Sequence, residues 1–298
     1  MMKNYDAVII GAGPAGLTAA MYLARANKKT AIFEKLTAGG KLAVTPVIEN
    51  YPGAESEDGF TIAETMRSQA EKCGAEFVYA EISAVDFREL TVTAGGETYA
   101  ASAIVIATGA KSGKLGLSGE KELSGNGVSY CAVCDGALFR GKDVVLAGAG
   151  DRALKDLNYL AGICRKVYFV TPNAFGDNKW DNVEILEKSE VTRLVGKPLE
   201  KIVVSGLGTE REIETPALFV DVGIKPDGRI FAGELETDTN GFILTDENMR
   251  TSVKGVFAAG DVRSKTLRQV VTAAGDGAIA AMSAIKEMSQ NRKAAKKN

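Results

Sequence analysis

The sequence predicts an α/β protein: two Rossmann-like three-layer dinucleotide-binding domains, the second inserted in the first. Three observations predict it. A β-branched apolar run, a glycine turn and an alanine- and leucine-rich helix open the chain. The same order of elements recurs from Asp143. Stretches that complete the first unit lie on both sides of the second. A chain of 298 residues has room for two domains of roughly 100–200 residues, each with its own core.

Tyr5–Ile10 predicts the first strand and Leu17–Ala26 the first helix. Between them runs Gly11-Ala12-Gly13-Pro14-Ala15-Gly16, the spacing G-x-G-x-x-G. The first glycine permits the tight bend, the second lets backbone approach a pyrophosphate, and the third lets the helix pack on the strand. The phosphates then rest on the helix N-terminus. Thr30–Phe33 predicts the second strand, and Glu34 closes it, where a carboxylate meets a ribose hydroxyl pair. The null alternative is a glycine turn that only joins elements.

Ala103–Gly109 reads as a buried strand ending in the small polar turn Thr108-Gly109. Asp143–Leu146, the turn Ala147–Ala153, Leu154–Cys164 and Lys166–Val170 form the second βαβ unit. Gly148, Gly150 and Ala153 fit G-x-G-x-x-A. Gly255–Asp261 is another buried strand, ending in Gly260-Asp261. Asp261 stands at a strand end before a helix, so it is a candidate for a ribityl hydroxyl or for a helix N-cap. The helix from about Arg268, through Gln269 and Val270 to Gly275, aims its N-terminus at the same ligand. These stretches favour a flavin in the first site. The first domain is expected at 1–113 and 245–298, with 114–244 inserted and Gly113, Gly116 and Gly241 as hinges. The run Arg292–Lys297 reads as a frayed basic tail.

The chain contains no histidine. That excludes Ser-His-Asp and Cys-His catalysis, His-ligated zinc and His-ligated haem. Proton transfer must fall to Asp, Glu, Lys, Tyr, Cys or a cofactor. A net charge of −2 gives no general pull toward nucleic acid or anionic membrane. The N-terminus does not read as a signal peptide, since Asp6 interrupts the start of any apolar region. No apolar run reaches the length of a membrane span. With four cysteines in so long a chain, the expectation is a reduced, cytoplasmic protein without a disulfide framework.

Cys131-Ala132-Val133-Cys134-Asp135 precedes the second βαβ unit. A C-x-x-C beside such a unit reads as redox-active, with a depressed thiol pKa. Half of a zinc or iron–sulfur site is the competing reading. It needs two more soft ligands, and only Cys73 and Cys164 remain, each inside a helical pattern. Those two read as small apolar core residues. Asp135 follows the second cysteine directly and is either the proton carrier for thiol exchange or a helix cap.

The order of these motifs carries a family likeness. Gly11–Gly16, Gly39-Gly40-Lys41-Leu42, Glu49-Asn50-Tyr51-Pro52-Gly53, Ala107-Thr108-Gly109, Cys131–Gly136, Gly260-Asp261-Val262 and Arg268-Gln269 together resemble the low-molecular-weight thioredoxin reductases over nearly the whole chain. The resemblance implies a homodimer with FAD in the split domain. It places Gly11, Gly13, Pro14, Ala15, Gly16, Glu34, Gly40, Lys41, Asn50, Thr108, Gly109, Gly260, Asp261, Arg268, Gln269 and Val270 at that cofactor. It also implies that Cys134 faces the flavin, that Cys131 attacks the disulfide of thioredoxin, and that Asp135 is the acid–base group. A rotation between domains would alternate the two encounters.

The chain departs from that pattern after the second strand of the inserted domain. NADPH-using members carry a His-Arg-Arg motif and a further Arg there, and guanidinium suits the 2′-phosphate. Here Val170–Asp177 holds no cation, and Arg165 and Lys166 precede the strand. Pro172–Val183 is also too short for the long helix expected there. Lys41 stands where the NADPH users commonly have Gln. The chain therefore looks most like the branch that takes electrons from reduced ferredoxin. The alternatives are an NAD(P)H-dependent enzyme of the same fold, an inserted domain holding a second flavin, a disulfide oxidase passing electrons to oxygen, and a non-enzymatic redox sensor.

Overall fold

The structure, a computed structural model, describes residues 2–55, 57–176, 179–228, 231 and 233–295. The chain divides into two compact units, Met1–Lys111 with Lys225–Asn298, and Ser112–Ile224. Both crossings fall in a two-stranded pair, Ala110–Ser112 with Ile224–Pro226.

The first unit is built on a five-stranded parallel sheet in the order Val256–Ala258, Ala103–Ile106, Ala7–Ile10, Thr30–Glu34, Glu76–Tyr79. Side chains alternate across it with period two. Ala7 and Ile9 face a core shared with Leu17, Leu23, Met66, Ala280 and Ala284. These come from helices Pro14–Arg25, Gly59–Lys72 and Val270–Ala295. Val8 and Ile10 face the opposite core with Phe33, Val92, Tyr99 and Phe231. That side is closed by a four-stranded sheet of Lys3–Asn4, Glu97–Ala100, Thr91–Ala94 and Ile82–Asp86. Burial on both faces is why Ala7–Ile10 and Ala103–Ile106 are apolar throughout instead of alternating.

The second unit repeats the plan. Its parallel sheet has five strands, Val128–Ser129, Leu218–Asp221, Asp143–Gly148, Lys166–Val170 and Val183–Leu186. Val144 and Leu146 meet Leu157 and Leu160 of helix Gly150–Ile163. Val145 and Ala147 meet Ile202, Val204 and Ile213 of a three-stranded antiparallel sheet. The α/β class with two dinucleotide-binding folds is therefore present as expected.

Several boundaries differ from the sequence reading. The first strand is Ala7–Ile10, and its helix begins at Pro14, whose fixed φ and missing N–H suit the first helical position. The second helix begins at Gly150, so the turn residues Gly150–Ala153 form its first turn. The return to the first unit lies at 224–225, not near 245. The reason is packing: Phe231, Leu235 and Ile243 sit in the core with Ile10 and Phe33. Gly241 is correspondingly no hinge; its N–H closes a turn on Asp238 inside the first unit. The basic tail is helical as far as Ala295. Asp177, Lys296 and Lys297 lie outside the described residues. No helix among the described residues is long and apolar enough to cross a membrane.

Two glycines of the first turn separate fold from ligand space. A Cβ on Gly16 would sit 1.9 Å from the Gly11 carbonyl oxygen, whereas one on Gly13 would meet nothing within 4 Å. Gly16→Ala is expected to destabilise the fold by about 1–3 kcal/mol or more through overpacking. Gly13→Ala should leave it unchanged. Urea unfolding midpoints check both, and equal midpoints for the two variants would refute the close-packed turn.

Candidate functional site: a glycine cradle and a dithiol

The cradle lies at the carboxyl ends of three adjacent strands. Gly11 has φ +102°, and a Cβ there would lie 2.5 Å from the Ala107 carbonyl oxygen. The turn therefore passes against the end of strand Ala103–Ile106. Gly40 approaches so closely that its Cβ would lie 3.7 Å from the Gly13 Cα. Gly260 has φ +79°, and a Cβ there would come 2.9 Å from that of Ala15. The Gly260 N–H donates to Asp276, which also pairs with Lys265 at 2.7 Å. Asp276, Lys265 and Gly277, whose Cβ would meet the Ala15 carbonyl at 2.1 Å, were not singled out in the sequence. Only three-dimensional packing identifies them.

Polar groups of the cradle are partly committed to one another. Glu34 accepts from Ala12 N at 3.1 Å and from the N–H groups of Lys35 and Leu36. A carboxylate has about four acceptor sites, so one remains for a hydroxyl donor. Lys41 Nζ lies 3.1 Å from Asp261 Oδ2, and Asn50 Nδ2 donates to Gln269 Oε1 at 3.1 Å. Arg268 donates to the carbonyls of Lys265 and Arg263 and covers the Phe242 ring at 4.2 Å. Its guanidinium thus clamps the loop before the long helix, which begins at Val270.

The residues fit the flavin dinucleotide that the sequence implies. Backbone alone lines the turn at Gly11 and Gly13. Helix Pro14–Arg25 has no side-chain cap and no acid in its first turn, so its N-terminus is open to an anion. Thr108 Oγ1, beside Gly109 at φ +75°, is buried without a hydrogen-bond partner.

The second glycine turn has similar packing but a different backbone, with φ +76° at Gly150 where Gly13 has −74°, and opposite electrostatics. A Cβ on Gly148 would lie 2.6 Å from the Asp221 carbonyl and 3.0 Å from the Ala153 Cβ, so strand, turn and helix pack as in a nucleotide fold. Here the helix carries Asp151 in its first turn. At the end of the neighbouring strand the Asp221 side chain is 2% exposed, and Arg152 Nη2 stands 3.2 Å away. Arg152 Nη1 is buried without a hydrogen-bond partner, and the Asp221 carboxyl is met by Arg152 and the Gly223 backbone. Burial pushes the Asp221 carboxyl up, and Arg152 opposes it. Burial and the Asp221 charge push the Asp156 carboxyl up to about 6. After strand Lys166–Val170, residues Thr171–Gly176 carry no cation.

The dithiol motif follows the edge strand Val128–Ser129. Cys131 and Cys134 form a disulfide with their Cα atoms 5.3 Å apart. Cys131 caps the helical turn Ala132–Asp135, and Cys134 N donates to its Sγ at 3.2 Å. Asp135 is half-buried; desolvation raises its carboxyl pKa, and a hydrogen bond from Ser129 opposes the rise. Cys164 is buried, and burial pushes its thiol up to about 11. Cys73 caps the end of helix Gly59–Lys72. Among the described residues no cluster of three or more His, Cys, Asp or Glu side chains could hold a metal ion.

Comparison with known proteins points one way. The family described as pyridine nucleotide-disulphide oxidoreductase matches residues 5–277. The thioredoxin reductase of Listeria monocytogenes is 44% identical, over 95% of this chain and 94% of its own. That of Bacillus subtilis is also 44% identical, over 94% of each. The thioredoxin reductase structure from Streptococcus pyogenes has a TM-score of 0.91 at 36% identity, covering 96% of this chain and 99% of its own. A ferredoxin-flavin thioredoxin reductase structure from Clostridium acetobutylicum is similar at a TM-score of 0.55 and 31% identity, covering 97% and 100%.

Thr108 offers a test of the cradle. Replacing an unpartnered buried hydroxyl by a methyl group relieves its desolvation penalty. Thr108→Val is therefore expected to leave the protein without flavin at least as stable, and to weaken FAD retention about tenfold. Flavin release followed by fluorescence reads the second effect. Unaltered retention would show that the hydroxyl does not serve the cofactor.

Proposed function

We propose, for a chain that belongs to the pyridine nucleotide-disulphide oxidoreductases and among them to the thioredoxin reductases, that its electrons come from reduced ferredoxin and not from a pyridine nucleotide. Its enzyme class is that of a thioredoxin-disulfide reductase working with a flavin. The proposal concerns the donor, the residues at FAD, a homodimeric assembly and a cytoplasmic setting. FAD, when bound in the cradle, supplies the passage from a one-electron donor to a two-electron acceptor. Two reduced ferredoxins and two protons then balance one thioredoxin disulfide converted to a dithiol.

The chain's own residues account for the remaining steps. Opening of the Cys131–Cys134 disulfide takes up two electrons. Cys131 as thiolate attacks one sulfur of the thioredoxin disulfide, and the other sulfur leaves as thiolate. Cys134 then attacks Cys131 Sγ, which re-forms the internal disulfide and releases the second thioredoxin sulfur. Asp135 takes the proton from the attacking thiol and returns it to a leaving sulfur.

One observation carries the choice of donor: the contrast between the two glycine turns. The first offers an uncapped helix N-terminus with no acid. The second carries Asp151 in the first turn of its helix and the buried Asp221 at the neighbouring strand end, against one Arg152. Like charge at a phosphate site disfavours binding, and residues Thr171–Gly176, directly after strand Lys166–Val170, offer no cation to a 2′-phosphate. The retained packing of Gly148 on Asp221 and Ala153 supports an NAD(P)H-dependent reading as the alternative.

Charge-assisted bonds to a 2′-phosphate are each worth about 1.5–3 kcal/mol. Lacking two or three of them weakens NADPH binding about a hundredfold or more, by the rule of tenfold per 1.4 kcal/mol. In anaerobic mixing, NADPH and NADH are expected to leave the flavin spectrum unbleached at ordinary concentrations. Reduced ferredoxin should bleach it rapidly, and more slowly as salt is added. Fast bleaching by NADPH would overturn the donor assignment. Cys134→Ser should keep flavin reduction by the donor and lose thioredoxin reduction; thioredoxin reduction surviving in Cys131→Ser would refute the dithiol route.

A further inference from the structure

Ser129 closes the edge strand Val128–Ser129, pairs with Phe219 of strand Leu218–Asp221, and is buried. Its Oγ accepts from Cys131 N at 3.1 Å. That contact alone is an ordinary serine turn, which needs only the oxygen. The hydroxyl hydrogen is then free to choose an acceptor. Asp135 Oδ2 lies 2.5 Å away and the Cys131 carbonyl oxygen 3.3 Å away. One hydroxyl therefore joins the carboxyl of Asp135 to the backbone of Cys131.

We propose that Ser129 is a positioning residue for thiol–disulfide exchange, holding the Asp135 carboxyl against the Cys131/Cys134 pair in both of its protonation states. The inference rests on the dithiol reading with Asp135 as proton carrier. With Asp135 ionised, the Ser129 O–H donates to Oδ2. When Asp135 takes the proton of the Cys131 thiol, leaving a thiolate, its own O–H donates to Ser129 Oγ. The serine hydrogen then turns to the Cys131 carbonyl. When the proton passes to the leaving sulfur of the partner disulfide, the first arrangement returns. A hydroxyl can do this because one atom both donates and accepts; an ammonium only donates.

Burial raises the Asp135 carboxyl pKa, and the Ser129 hydrogen bond opposes it. Helix Gly150–Ile163, packed against the motif, presents Tyr159, Leu160 and Ile163 at Gly136. Tyr159 is the one titratable group of these three.

The sign of the effect follows. The serine bond favours the carboxylate, so losing it raises the Asp135 pKa further. A base with a raised pKa stays protonated to higher pH, and the acidic limb of the rate profile moves up. The test follows single-turnover reduction of thioredoxin disulfide by the prereduced holoenzyme from pH 5 to 9. Ser129→Ala is expected to move the acidic limb up by about one pH unit, the size of one hydrogen bond to a charged group, and so to slow the reaction about tenfold below it. Ser129→Thr keeps the hydroxyl and should hold the limb in place. Infrared titration of the Asp135 carboxyl in the oxidised holoenzyme reads the same change without turnover, and it decides the matter if the threonine variant does not fold. A limb and carboxyl band that stay fixed in Ser129→Ala, whatever the rate, overturn the proposal. Asp135→Asn separates the two levels: a full rate at every pH in that variant overturns the proton-carrier reading beneath it.

Discussion

Burial of both faces of the central parallel strands governs the rest of the molecule. Ala7 and Ile9 must find helices, and Val8 and Ile10 must find the antiparallel sheet, so neither face has room for polar chemistry. Chemistry is displaced to the strand ends. At the carboxyl end each strand leaves the core beside its neighbours, and after Ala7–Ile10 the chain turns into helix Pro14–Arg25, which covers it. Gly11, Thr108 and Gly260 follow three such strands, lying side by side in the order Val256–Ala258, Ala103–Ile106, Ala7–Ile10. Crowding at that edge, visible in the short approaches to Ala107 and Ala15, is what demands glycine there.

The second unit obeys the same constraint and reaches a different electrostatic result. Its strand ends also crowd, with Gly148 against Asp221, and its helix also starts without a side-chain cap. Yet the side chain that follows Val220 is an acid, withdrawn from water and met by one guanidinium and the Gly223 backbone. A buried pair without full hydrogen bonding contributes little to stability. Its effect lies in sign: the first turn attracts phosphate, and the second, on the proposed reading, refuses it. One backbone plan thus serves a cofactor in one unit and carries the dithiol in the other.

Much of this was legible because it is local. The two βαβ units show in short apolar runs and glycine spacing, and strand Lys166–Val170 was bounded as the structure has it. Cys131–Asp135 reads from five consecutive residues. What escaped was long-range or weakly patterned. The strands Ile82–Asp86, Thr91–Ala94 and Glu97–Ala100 bury one face only, and their short alternations carry little signal. Residues 225–244 join the first unit through Phe231, Leu235 and Ile243, three apolar residues in a stretch with no change of composition at its border. The Arg152–Asp221 pair joins a helix to a strand far along the chain, and no spacing rule connects them. Ser129 looks like any serine before a turn until its hydroxyl is placed between two residues of the dithiol motif.

The absence of histidine gives the half-buried acid its significance. An imidazole changes charge near neutral pH without help from its surroundings. A carboxyl does so only if its charged form is made costly, and burial does this for Asp135. The same force acts on Cys164, whose thiol rises to about 11 and therefore stays protonated and unreactive. Desolvation favours the neutral form in both. For a nucleophile that is silencing; for a proton carrier it brings the group toward the range where it works. Burial alone favours the neutral form, and a carboxyl held neutral cannot accept a proton. The Ser129 hydroxyl opposes it by stabilising the carboxylate, and on the proposed reading the position of Asp135 between these two effects lets a chain without histidine move a proton beside its dithiol.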